Sequence, residues 1–320
     1  YNMLYIKECI ATIFPVDHSA RNWSDRRMPM NSANAPALSA ITLDHSGHFV
    51  PDPDAARAAL QDLGFTVTPW SAQVQPDPDT GEMRLTGTGN ICVMLDEGYL
   101  EFLAHTADTQ LGLEFRAALE RRAGLHLAAF GSADAAADHA ALSAQGLNMR
   151  PLVHFSREIE TETGRAEVAF TVARLAAGTM PEGRVQIVTH HSVPVMWQDR
   201  WTRHSNSAQA LRAMVISAPD PDEAAARFAR ILNRPVDRHG DGLRIALDRG
   251  ALEILPEEDA TALVGAAVDP GRPCLVALRV AVATFAPFRD RPGARALPDG
   301  TLALPFGPAL GRGCWLFATA

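Results

Sequence analysis

Residues 43–67, LDHSGHFVPDPDAARAALQDLGFTV, read as a histidine-bearing strand, a Pro/Asp turn, an amphipathic helix and a second strand. The chain then repeats the arrangement. The stretch from Gly124, GLHLAAFGSADAAADHAALSAQGLNMRP, has the same layout, with His126 in the histidine place. The stretch from Leu211, LRAMVISAPDPDEAAARFARILNRPV, has it again without a histidine. A repeat of this length constrains the fold more than any composition does, because each unit must bury its apolar face against its neighbours.

Each helix carries local start and stop signals. In the first copy, Asp52 and Pro53 suit the free amides and positive dipole end of a helix, and Gly64 stops it. Ser132 or Asp134 opens the second helix and Gly146 closes it; residues 220–232 form the third. Three strands follow each helix, so the order predicted for each copy is β-α-β-β-β. Residues 111–122 are a linking helix between the first two copies. Residues 273–320 read as a fourth copy with a shrunken helix. The expected fold class is α+β, with four such modules paired into two halves, 40–206 and 207–320. Residues 1–39 are expected to be a poorly structured extension, Met28 and Met30 being better starts than Tyr1.

Composition narrows the function classes. A net charge of −8, with scattered basic residues, argues against nucleic acid or an anionic membrane as partner. Cys9, Cys92, Cys274 and Cys314 lie far apart with no CxxC pair, as expected of free thiols in the cytoplasm. No run of about twenty apolar residues spans a membrane. The alanine-rich helices are typical of a GC-rich bacterial genome. A GxSxG elbow, a Walker loop, GxGxxG and HExxH are all absent.

Paired β-α-β-β-β modules with a histidine on a first strand (LDHSGHF) and a carboxylate on a last strand (YLEFL) resemble the vicinal oxygen chelate superfamily of glyoxalases, bleomycin-resistance proteins and extradiol dioxygenases. GFTVTPWS, GTGNICVMLDEGYLEFLA, HFSREIE and THHSVPVMWQDRWTRHSN resemble, more narrowly, its glyoxalase-like domain proteins. The resemblance implies curved sheets around a cavity and a divalent metal (Zn, Fe, Mn or Ni) between two modules. Carried over, it implies metal ligation by His45, Glu101, His126 and, in the fourth place, Gln186. It also implies a second role for Glu101, as a catalytic base. Ala213 stands where the third copy would need its histidine, so the metal is expected in the first half only.

Further candidates line the same region. Trp197, Trp201, His204 and Asn206 read either as packing at a seam between halves or as a lid over the cavity, and His190 and His191 as a source of a missing ligand or as substrate-binding residues. Arg157, in HFSRE, reads as an anchor for an anionic substrate or as a surface residue. A lone strand histidine is more often a satisfied core residue than a ligand; the repeat is what lifts His45 above that reading. Glu101 sits in an otherwise apolar strand, where an ionised carboxylate is costly unless it faces solvent, a partner or a metal. Adjacent strand residues face opposite ways, so only one of His190 and His191 points inward. The leading expectation is a metal-dependent lyase, isomerase or dioxygenase acting on a small molecule with neighbouring oxygens. The alternative is a metal-free protein that sequesters a ligand in the same cavity. A homodimer is compatible with either.

Overall fold

The computed structural model describes residues 40–77 and 80–319, and the expected extension at 1–39 lies outside them. The first module comprises β1 (Ile41–Phe49), α1 (Pro53–Asp62), β2 (Ser71–Pro76), β3 (Met83–Met94) and β4 (Tyr99–His105). Helix α2 (Gln110–Arg121) leads into the second: β5 (Gly124–Ser132), α3 (Ala135–Ala144), β6 (Val153–Thr161), β7 (Gly164–Arg174) and β8 (Arg184–His190). Their eight strands form one mixed sheet in the order β2-β3-β4-β1-β5-β8-β7-β6. The two first strands, β1 and β5, meet antiparallel at its centre, and each runs parallel to the last strand of its own module.

Two short helices, α4 (Val193–Met196) and α5 (Asp199–Thr202), lead to the third module. It holds β9 (Ala208–Ala218), α6 (Pro221–Leu232), β10 (Asp237–His239), β11 (Gly242–Ala246) and β12 (Ala251–Pro256). Helix α7 (Glu257–Val264) then precedes the fourth: β13 (Cys274–Val282), β14 (Arg295–Ala296), β15 (Leu302–Pro305) and β16 (Cys314–Thr319). These strands repeat the first sheet's order as β10-β11-β12-β9-β13-β16-β15-β14. The α+β class and the four-module plan are thus those read from the sequence. Among the described residues the fourth module has no helix between its first two strands. Both sheets belong to one compact unit.

The caps act as their residue types dictate. Asp52 accepts from the amides of Asp54 and Ala55, Asp134 from those of Ala136 and Ala137, and Asp220 from that of Glu223. One expected strand differs. Residues 65–70 run extended without a regular ladder, and pairing to β3 begins only at Ser71, just beyond Pro69, which has no amide to donate.

One face of the first sheet packs into the core shared with the second. His48 lies fully buried there, stacked on Phe102 and edge-on to Phe306 near Trp315. Neither of its ring nitrogens has a hydrogen-bond partner. Burial first, then the nearby His126 and Arg122, pulls its pKa down to about 3. The other face of the sheet curves around a cavity.

Candidate functional site

The cavity holds about 500 Å³ and is walled by both modules of the first sheet. Its polar centre is built on β1. Between Leu43 and His45 the β1–β5 register shifts by one residue, so Asp44 is the extra residue of a β-bulge. The bulge lets Asp44 reach its neighbour: Asp44 Oδ2 accepts from His45 Nδ1 at 2.6 Å. It also accepts from His190 Nε2 at 3.1 Å. Burial pushes the Asp44 pKa upward, but the charge and hydrogen bonds of His190 and His45 overcome it and hold the carboxyl well below the usual range. Because Nδ1 donates to Asp44, the lone pair of His45 is on Nε2, which faces the cavity.

Two side chains meet that nitrogen. Gln186 Nε2 lies 3.1 Å from His45 Nε2, and Glu101 Oε2 lies 3.8 Å from it. Glu101 comes from β4, two residues beyond Tyr99, the residue paired with His45, and Gln186 comes from β8. Glu101 is buried, and its Oε1 accepts from Asn90 Nδ2 at 2.5 Å and from Gln73 Nε2 at 3.2 Å. Those two amides satisfy one carboxylate oxygen and leave Oε2 turned toward His45. Asn90 and Gln73 extend the site onto β3 and β2, and Thr88 fixes the Gln73 amide by donating to its Oε1 at 2.6 Å.

His126 is not part of this group. Its Nε2 donates to the Arg122 carbonyl at 2.9 Å and its ring stacks on Phe49. Burial, with Arg122 and Arg121 beside it, lowers its pKa to about 3. The register explains the displacement. In the first module His45 pairs with Tyr99 and Gly47 with Glu101; in the second Leu127 pairs with Arg184 and Ala129 with Gln186. Gln186 therefore matches Glu101, but Leu127 matches His45. His126 falls where β5 has its own register shift, opposite the step from Gly47 to His48, the place that Asp44 takes in β1.

The remaining candidates divide. Arg157 and Trp201 line the cavity, and Arg157 donates to Ser71 Oγ. His191 is exposed and bonds to Thr171 Oγ1 outside the cavity; its neighbour His190 is the one that faces in. Trp197 sits behind the wall, edge-on to Tyr99 and His190, with its indole N–H on the Leu95 carbonyl. His204 joins the Thr66 amide to the Met94 carbonyl, and buried Asn206 bonds the Leu63 carbonyl and the Ala208 amide. Both pin the connector to the first module. Asp44, Asn90 and Gln73 carry no signal in the sequence that marks them for this site, whereas His190 is the inward member of the His190–His191 pair. Asp44 adjoins His45 in sequence, and adjacent strand residues are expected on opposite faces; only the bulge reverses that.

In the second sheet the matching corner is closed. Ala213 lies across from Ala251 and Glu253 across from Val215, the pairing that His45 and Glu101 have in the first sheet. Glu253 is bound there by Arg279 at 3.0 Å.

Whether a divalent ion suits the first-sheet site is decided by its donors. Donors bound to one ion at about 2.1 Å stand roughly 3 to 3.5 Å apart, close to the spacings around His45 Nε2. A carboxylate behind the imidazole and amides behind Glu101 are the supports that metal ligands commonly carry. No group of three His, Cys, Asp or Glu placed to hold a metal ion occurs among the described residues, and the third donor beside His45 and Glu101 is the amide of Gln186. Turning that amide presents its oxygen to an ion. The residues fit a three-donor site with an apolar fourth corner, Leu127.

The glyoxalase-like domain family model matches residues 43–232, more than half of the chain. Curated proteins provide no match. Among solved structures, a hypothetical protein from Staphylococcus aureus is similar at 9% identity, with a TM-score of 0.60, over 88% of this chain and 100% of that one. A mutant of 4-hydroxymandelate synthase from Streptomyces coelicolor is similar at 14% identity, with a TM-score of 0.55, over 88% and 92%. At these identities the likeness concerns the fold. No helix among the described residues is long and apolar enough to cross a membrane.

Proposed function

The chain belongs to the glyoxalase-like domain family, and we propose that its first-sheet cavity is the active site of a divalent-metal-dependent enzyme acting on a small molecule with neighbouring oxygens. The observation that carries this reading is the meeting of His45 Nε2, Glu101 Oε2 and the Gln186 amide at one point of the cavity wall. These three residues would hold the ion. When bound, it would polarise two adjacent substrate oxygens and favour reaction of the lyase, isomerase or dioxygenase kind.

The chain's own residues prepare the site. Asp44 keeps the proton of His45 on Nδ1, so Nε2 stays available. Asn90 and Gln73 leave one oxygen of Glu101 free, and that oxygen is the group placed to take a proton from a bound substrate. Tyr99, Phe170 and Trp201 supply apolar walls.

Protein stripped with chelator is expected to gain thermal stability on addition of Mn(II), Ni(II) or Zn(II), by about 2.7 kcal/mol at one hundred times the dissociation constant. No shift with any of these ions would remove the metal from the account. A second reading, a metal-free cavity that binds a ligand, is favoured by Leu127 in the place that matches His45. Leu127→His supplies the missing imidazole and is expected to tighten ion binding by about tenfold in calorimetric titration. The metal-free reading expects no change.

A further inference from the structure

The two modules around the cavity differ at matching places. In the first, Tyr99 precedes Glu101 by two residues on β4, and Cys92 faces Glu101 from β3. In the second, Arg184 precedes Gln186 by two residues on β8, and Arg174 faces Gln186 from β7. A neutral pair on one side is thus exchanged for two cations on the other, and all four residues line the cavity.

These cations exceed their local counter-charge. Glu114 of α2 accepts from Arg150 at 2.5 Å and from Arg184 at 2.6 Å. One carboxylate therefore pairs with two of three neighbouring guanidinium groups, and Arg174 is the third. Arg174 Nε is buried without a hydrogen-bond partner. Around the whole cavity four arginines (Arg157, Arg174, Arg184 and Arg200) face two glutamates (Glu101 and Glu160), although the chain carries a net charge of −8. Cavity-lining guanidinium groups in excess of carboxylates are stabilised by an oxyanion, which their planar forks bind well.

We propose that Arg174 and Arg184 form an oxyanion subsite, and that the substrate is an organic anion whose carboxylate or phosphoryl group sits there. Its apolar or aromatic body lies along the wall of Phe155 and Phe170, with its reacting end toward His45. This deepens the proposed function and rests on the same cavity as substrate site, but it requires no metal. A two-residue step along β8 is roughly 7 Å, so a compact anion reaches from Arg184 to the level of Gln186 and His45.

Calorimetric titration of chelator-treated protein with benzoate, phenylphosphonate and the neutral benzamide tests it. Benzoate or phenylphosphonate is expected to bind at least about tenfold more tightly than benzamide, the tighter of the two identifying the oxyanion. The preference is expected to fall below about twofold in Arg174→Gln and in Arg184→Gln, and to persist in Arg174→Lys. It is also expected to persist in His45→Ala, so that failure of the metal site and failure of the anion subsite give different results. Melting curves establish that each variant is folded. Equal binding of all three probes, no binding at about 10 mM, or a preference that survives in both glutamine variants would overturn the proposal.

Discussion

Lowering the pH from 6.5 to 4.5 is expected to cost this fold about 5 kcal/mol, through two histidines that do no chemistry. His48 and His126 are buried, and each has its pKa lowered to about 3 from an ordinary value near 6.5. Between those values the unfolded chain binds two protons that the folded chain does not. Stability therefore rises with pH across this window, is fully present above 6.5, and is lost as the pH falls toward 3. Asp44 adds nothing in the upper part of the window, since its depressed pKa matters only below the ordinary carboxylate range. A loss of this size is comparable to the whole stability of many domains, so acid unfolding should begin near pH 4.5. Denaturant midpoints measured from pH 7 to pH 4 check it. His48→Leu should halve the pH slope, and because His48 has no hydrogen-bond partner it should not destabilise the protein at pH 7. Midpoints that stay level across the range would contradict the assignment.

Asp44→Asn is expected to weaken divalent-ion binding by about 10 to 100-fold. The asparagine oxygen can still accept from His45 Nδ1, so the ring stays in place. The buried negative charge that makes Nε2 a strong donor is gone. The same substitution weakens the hold on His190, whose Nε2 also points at Asp44. Calorimetric titration with Mn(II) and Ni(II) reads the change directly. An unaltered affinity would mean that Asp44 only packs the bulge.

The repeat made the fold legible. Asp52, Asp134 and Asp220 cap the helices they precede in the sequence, and the strands between follow the same order in both sheets. The site was legible only in part. Glu101 and Gln186 occupy matching registers because β4 and β8 are regular against their neighbours. His45 and His126 do not match because bulges intervene. His45 is the fifth residue of β1 and His126 the third of β5, positions that share a face in regular strands. The extra residue at Asp44 breaks that parity, and His126 itself falls at a shift. Side-chain chemistry does not announce a bulge of this kind. The arginine cluster was hidden for a similar reason: Arg150, Arg174 and Arg184 are scattered in sequence and come together only through the β7–β8 register and Glu114.

The proposed site holds one divalent ion on His45, Glu101 and Gln186. Elemental analysis of protein purified without chelator tests it directly. About one equivalent of a transition metal is expected in the wild type and in His126→Ala, and almost none in His45→Ala. Metal well below one equivalent in the wild type, or a content unchanged by His45→Ala, would contradict it.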